Sequence, residues 1–258
     1  IEHVVTGGIG KVEVLSSNLN LKIILASGSP RRASLLRLIT SDFEVKVSGV
    51  DETPPDLLDP AQIAENLAIR KAQAVADELL LDSARLPNKT PKGPLKSGLQ
   101  LEAGVPAGLK IIGADTIVCL DQEILGKPTN PLEAVEMLQK LSGKTHRVIT
   151  GVCVLTFNEP SVSKKEEMGA GKLEIGIDGN DLWRRKVGHQ ITHVTFRQLT
   201  QDAIESYVDL ESPFDKAGGY AIQEGASSFV ESIQGPLDNV IGLPLGLVRT
   251  LLLDAIPA

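Results

Sequence analysis

Four short polar blocks interrupt otherwise apolar stretches of this chain, and each carries residues able to handle an anion. The first is Ser27-Gly28-Ser29-Pro30-Arg31-Arg32. A strand that feeds a helix through small residues presents backbone N–H groups and the positive end of the helix dipole. Two arginines in the first helical turn oppose that dipole, so they are either simply solvated or gathered around an oxyanion or phosphate. The second block, Gly113-Ala114-Asp115-Thr116, lies inside the apolar run IIGADTIVCL. A carboxylate in a strand core is costly to desolvate unless it caps a neighbouring backbone or meets a cation, a metal or a reacting water. The third is Gly126-Lys127-Pro128. The fourth runs from Glu211 to Gly219 through Asp215 and Lys216, and its glycines permit close backbone approach. Two arginines and two lysines beside Asp and Glu make the composition of a metal-plus-polyphosphate site.

Other chemistries fail on spacing. Gly143-Lys144-Thr145 resembles the end of a phosphate-binding P-loop, but the required upstream glycine falls on Leu138. Gly7, Gly8 and Gly10 do not make a dinucleotide fingerprint, and neither GxSxG nor HExxH occurs. The four histidines, at 3, 146, 189 and 193, have no metal-ligand spacing. The 258 residues are 42% hydrophobic, 23% charged and 3% aromatic, with a formal charge of −7. That is a folded chain and a poor nucleic-acid coat, since coats need a basic surface and stacking rings. Any phosphate must be held by a local basic cluster. Cys119 and Cys153 sit in the apolar runs TIVCL and TGVCVL and read as buried strand residues. No apolar run approaches the roughly 20 residues that span a bilayer. No secretory signal opens the chain, so a cytoplasmic protein with no membrane contact is the expectation. Ile1 in place of Met leaves open a longer or fused native chain.

Strands and helices alternate around these blocks, which predicts an α/β (mixed α+β) fold. LKIILAS, 21–27, reads as a buried strand entering a tight loop, with Ser29 as cap and Pro30 at the first position of the next helix. FEVKVSGV, 43–50, alternates as a strand. Asp59 and Pro60 open a helix running to about Leu81. LKIIGADTIVCLDQEILGKP reads as two strands joined at Asp121-Gln122. Asn130, Pro131 and Glu133 are cap, first position and capping-box partner of a helix closed by Gly143. THRVITGVCVLTF is a long strand, ITHVTFRQL another, and Thr200 caps QDAIESYVDL. GYAIQ and SSFVESIQG read as short strands before a final helix, 244–254. Residues 1–21 form a weak leader. The segments 82–108 and 157–190 are polar and rich in glycine and proline, and read as loops, the second with room for a hairpin.

Seven stretches in order, LASGSPRR, GADTIV, GKP, SGKTHRVITGV, VTFRQLT, DKAGGYAIQ and NVIGLPL, resemble the Maf family of nucleoside triphosphate pyrophosphatases. The resemblance covers 22–254 as a single domain and makes 82–108 and 157–190 insertions. It implies an elongated, twisted mixed sheet flanked by helices, with two lobes around a central cleft (Maf/ITPase-like). It also implies divalent-metal dependence, Mg²⁺ or Mn²⁺, a small nucleoside triphosphate as substrate, and a homodimer. Asp115 resembles the general base that activates water against the α-phosphorus. Ser27, Arg31 and Arg32 match the phosphate-binding loop. Glu52 matches an acidic residue that holds the metal with Asp115. Lys71, Lys127, Asp215 and Lys216 complete the expected substrate-binding set. Arg32, Thr116 and Gln223 agree with the dTTP/UTP type. A glutamine offers both donor and acceptor to a pyrimidine edge, and a C5 substituent need not disturb that edge, which extends the expectation to modified pyrimidine triphosphates. The expected role is house-cleaning of the nucleotide pool by release of pyrophosphate. The alternative is a non-catalytic nucleotide-binding regulator of cell division or septum formation.

Overall fold

The computed structural model describes residues 22–53, 59–85, 105–158, 182–211 and 213–253. Local chemistry sets most helix starts where the sequence predicts them. Ser29 caps α1 (Pro30–Leu36), accepting from the Arg32 N–H. Asp59 accepts from the Ala61 and Gln62 N–H groups at the start of α2 (Pro60–Arg85). Asn130 accepts from the Glu133 N–H at the start of α3 (Pro131–Leu141). The Glu133 carboxylate, however, turns back to the N–H and hydroxyl of Thr129, one residue before the cap. Gly143, at φ 68°, closes that helix with a left-handed residue. Thr200 caps α4 (Gln201–Glu211). The chain ends in α5 (Leu237–Ile241) and α6 (Leu245–Leu252).

Seven strands among the described residues form one mixed sheet. β1 (Ile23–Leu25) pairs in parallel with β2 (Glu44–Val45) and with β3 (Lys110–Leu120). β3 pairs antiparallel with β4 (Glu123–Leu125) and with β5 (Thr145–Phe157). β5 pairs with β6 (Trp183–Phe196), and β6 with β7 (Val230–Gln234), both antiparallel. The period of two along β3 and β5 sorts the core. Ile111, Cys153 and Leu155 pack with Ala68, Ala72 and Val75 of α2. Ile112, Ala114, Val152 and Val154 pack on the opposite face with α1 and α6. Cys119 and Cys153 are buried free thiols, as their apolar runs predict.

One edge of β3 is broken. β5 covers the other edge from Lys110 to Cys119, but on this edge β1 pairs only Lys110–Ile112 and β4 only Val118–Leu120. Among the described residues, 113–117 have no strand neighbour there. The gap lies just beyond the carboxyl end of β1, where open α/β sheets present ligand sites.

Several elements differ from the sequence-based expectations, each for a physical reason. Only Glu44–Val45 of 43–50 is strand, because β1 is three residues long and leaves an edge strand little to pair with. α2 continues past Leu81 to Arg85. GYAIQ is not a strand: Gly218 and Gly219 both sit at φ 71°, and the Glu224 N–H turns back to the Ala221 carbonyl. The short α5 was not foreseen. β6 begins at Trp183, so 183–190 belongs to the sheet and not to the loop expected over 157–190. Arg184 and Arg185 are tolerated there because only 193–196 of β6 pairs with β7, leaving an edge where charge is favourable. The remainder of both expected loops, 86–104 and 159–181, and the leader, lie outside the described residues.

Two glycines govern how closely α2 approaches the sheet. A Cβ at Gly113 would strike the Ala68 carbonyl and the Ala72 nitrogen, and one at Gly151 would strike the backbone of Ala64 and Glu65. Helix backbone cannot step aside cheaply. Gly113→Ala and Gly151→Ala are each expected to cost about 3 kcal/mol of unfolding free energy, the upper range for overpacking. Gly246→Ala in α6, where nothing lies within 4 Å, is expected to stabilise by about 0.5–1 kcal/mol. Urea unfolding of the three variants measures the contrast.

Candidate active site

The gap in β3 opens into a cleft of about 370 Å³. All eleven site residues expected from the sequence line it: Ser27, Arg31 and Arg32 from the loop after β1 and from α1, Glu52 from the following loop, Lys71 from α2, Asp115 and Thr116 from β3, Lys127 beyond β4, and Asp215, Lys216 and Gln223 from the turns after α4. Alternation along β3 sends Asp115 to the α2 face and Thr116 to the opposite face, so the cleft has two polar walls.

On the α2 face the charges form a chain. The Lys71 ammonium donates to Asp115 Oδ1 at 2.5 Å and meets Glu52 Oε1 at 2.8 Å. Lys127 reaches Glu52 Oε2 at 2.6 Å. Lys71 and Asp115 are both buried, and a buried lone carboxylate would be costly without that ammonium. Partial burial pushes the Glu52 carboxyl up, but hydrogen bonds from Lys127 and Lys71 outweigh it and bring the group down to about 2.

On the other face Arg32 is held by neutral oxygens. Its Nε donates to the Gly242 carbonyl at 2.9 Å, and its terminal nitrogens donate to Ser27 Oγ at 3.2 Å and Thr116 Oγ1 at 3.1 Å. Burial lowers the guanidinium below its ordinary value, opposed by the charges of Asp115 and Glu52. The polar chain continues inward. Thr150 donates to the Asn239 carbonyl at 3.0 Å, so its oxygen is the acceptor for the Thr116 hydroxyl, also at 3.0 Å. The Asn239 amide in turn donates to the Val148 carbonyl and Thr192 Oγ1. Arg32 is thus fixed by a relay that reaches across β5 into β6.

A second ion cluster lies at the 213–224 turns. Lys216, buried, meets Asp215 Oδ1 at 2.7 Å and Glu224 Oε2 at 2.9 Å. Arg31 donates to Glu224 Oε1 at 2.8 Å and approaches Asp215 Oδ2 at 3.7 Å. The cleft also has an apolar part, with Val118, Val148, Tyr220, Ile222 and Val240. Behind it the Tyr220 hydroxyl and His146 Nε2 lie 2.7 Å apart, and burial pushes His146 down to about 4, leaving a neutral imidazole at pH 7. Glu224, Thr150 and Asn239 were missed from the sequence. Glu224 directly follows Gln223, and its adjacency to a cation-bearing turn was the one signal available.

The Glu52 shift gives a stability prediction. A carboxyl whose folded value is depressed from 4.5 to about 2 stabilises the fold fully above its unfolded value, and that stabilisation is lost as pH falls through the folded one. The stability difference between wild type and Glu52→Gln is expected to be constant above about pH 5 and to shrink between about pH 4.5 and pH 2. Urea unfolding across that range measures it.

The family model described as Maf-like protein matches residues 22–255. A dTTP/UTP pyrophosphatase of Desulforamulus reducens is 42% identical over 223 residues, covering 86% of this chain and 91% of its own. Proteins of the same description from Bacillus cereus and Bacillus mycoides are 41% and 40% identical over 231 residues, covering 89% of this chain and 94% of theirs. With the family model spanning every strand and helix that builds the cleft, the chain belongs to the Maf family.

Proposed function

We propose that this chain is a nucleoside triphosphate pyrophosphatase that hydrolyses dTTP and UTP, and modified pyrimidine triphosphates, to the monophosphate and pyrophosphate, with 22–254 as one catalytic unit. The observation that carries this reading is the convergence of all eleven expected residues on one cleft, with Asp115 at the gap in β3. The names of the relatives supply the substrate class.

The chemistry follows from the charges. A water oxygen forms a bond to the α-phosphorus, the bond from that phosphorus to the β-phosphate oxygen breaks, and pyrophosphate leaves. The water proton passes to the Asp115 carboxylate. Lys71 occupies Oδ1, which leaves Oδ2 to orient the water and take the proton. Lys71, Lys127, Arg31, Arg32 and Lys216 face the charge that develops on the phosphoryl oxygens. The pyrimidine fits the apolar end, where the Gln223 amide can both donate and accept.

A divalent cation fits the α2 wall. Among the described residues no group of three or more His, Cys, Asp or Glu side chains gathers to hold a metal. Yet Glu52 and Asp115 already converge on one positive charge, the Lys71 ammonium. Two carboxylates completed by substrate phosphates and water suit Mg²⁺ or Mn²⁺ better than zinc. Bound there, the ion would neutralise phosphate charge and polarise the phosphoryl oxygens. Among the described residues no helix is long and apolar enough to cross a membrane. On the family resemblance alone we further propose that the enzyme works in the cytoplasm as a homodimer.

Pyrophosphate release from dTTP or UTP with Mn²⁺ tests the reading. Wild type is expected to turn over, and Asp115→Asn, which keeps shape but loses the base, to lose at least about a hundredfold in kcat. An inactive wild type that binds UTP tightly would overturn the reading in favour of a non-catalytic nucleotide-binding regulator. Undiminished turnover by Asp115→Asn would remove Asp115 from the mechanism.

A further inference from the structure

Arg31 and Lys216 face the cleft, and each is already paired with carboxylates. One carboxylate spans both: Glu224 places Oε1 on Arg31 at 2.8 Å and Oε2 on Lys216 at 2.9 Å. Asp215 adds a second carboxylate, bonded to Lys216 and 3.7 Å from Arg31. Two cations and two carboxylates balance to zero. Bridging two cations through two oxygens is also what a phosphoryl group does, with bonds of the same length and kind.

The four groups differ in freedom. Lys216 is fixed: its side chain is 6% exposed and takes two acceptors. Arg31 is anchored on α1. Glu224 is 36% exposed and, unlike Arg31, Asp215 and Lys216, does not line the cleft. It sits in a turn closed by its own N–H on the Ala221 carbonyl, ahead of Gly225 at φ 77°. Its carboxylate can therefore leave for water without uncovering core. Its carboxyl is held below the usual range, first by the hydrogen bond from Lys216 and then by Arg31.

We infer that Arg31 and Lys216 form an anion subsite that Glu224 fills in the substrate-free protein and yields to the pyrophosphate portion of the ligand. This rests on the pyrophosphatase reading for the identity of the anion. Chemically, pyrophosphate is a multiply charged product surrounded by five cations, and unopposed attraction would hold it. A carboxylate that returns to the same two cations competes with it and lowers its affinity. Asp215, 67% exposed and bonded to Lys216 at 2.7 Å, is then the counter-charge left beside the pair. Glu224 is thus a positioning residue, acting through Arg31 and Lys216 and never on the reacting atoms.

Calorimetric titration of the full chain with inorganic pyrophosphate, with UMP as the control ligand, tests this. Glu224→Gln keeps the shape and removes the competing charge. It is expected to bind pyrophosphate about tenfold more tightly, roughly the scale of one charge-assisted bond, with UMP affinity unchanged. Glu224→Ala, which removes the acceptor altogether, is expected to move the same way, and Glu224→Asp to stay near wild type. In steady state Glu224→Gln should lower KM for dTTP together with kcat, as pyrophosphate leaves more slowly. Pyrophosphate affinity equal to or weaker than wild type in both Gln and Ala variants, or no pyrophosphate binding by any form, overturns the inference and makes Glu224 a structural tie. Because the binding measurement needs no turnover, a chain that failed to hydrolyse dTTP yet showed the tighter Glu224→Gln complex would sink the activity and leave the subsite standing.

Discussion

The Lys71–Asp115 contact is the constraint around which this molecule is arranged. An ionised carboxylate in the middle of a core strand costs several kcal/mol to desolvate, and so does a buried ammonium. Each is tolerable only beside the other. They meet because α2 lies almost on the sheet, and it can lie there because Gly113 and Gly151 present no side chain to its backbone. The two glycines flank the contact, one two residues before Asp115 and the other directly opposite it on β5. Close packing and reactive chemistry are therefore one requirement, since residues with side chains at either position would lift the helix and pull Lys71 away from its partner.

The cleft divides its cations into two kinds. Arg32 is tied to neutral oxygens, and the relay through Thr116, Thr150 and Asn239 gives it one orientation. Lys71, Lys127, Arg31 and Lys216 are instead each matched to a carboxylate. This arrangement explains how an acidic chain can concentrate five cations in one cavity. Charge is balanced locally, and the alternation of β3 separates the two polar walls. The break in pairing between β1 and β4 supplies the entrance, so one irregularity in the sheet both opens the cleft and exposes the strand segment that carries Asp115.

What could be read from the sequence was mainly what is local. Ser29, Asp59, Asn130 and Thr200 cap helices because a side chain bonds the backbone two or three residues on, and nothing distant is needed. β5 was legible in full because ten of its thirteen residues, all but His146, Arg147 and Gly151, are apolar or β-branched, as an inner strand between β3 and β6 requires. Of the eleven expected site residues, Ser27, Arg31, Arg32, Asp115, Thr116, Lys127, Asp215 and Lys216 stand in polar blocks readable from residue types, whereas Glu52, Lys71 and Gln223 came only from the family resemblance. Glu224 was not legible, since its bond to Arg31 spans 193 positions. Thr150 and Asn239 read as ordinary core polar residues for the same reason. The early part of β6 was misread because its charged residues lie on an edge, where the apolar pattern that marks inner strands is absent.

The placement of the two long connections has a separate consequence. One joins α2 to Val105, the other joins Asn158 to Leu182. The ends of both rest on the same apolar cluster, built from Leu109, Phe157, Leu182 and Trp183 with Val105 against it. From Lys110, where β3 begins, Asp115 is five residues away, about 17 Å along the strand. Val105, Phe157 and Leu182, beside the two connections, pack here, and none of them lines the cleft. A change of length there is therefore separated from Asp115 by the first half of β3.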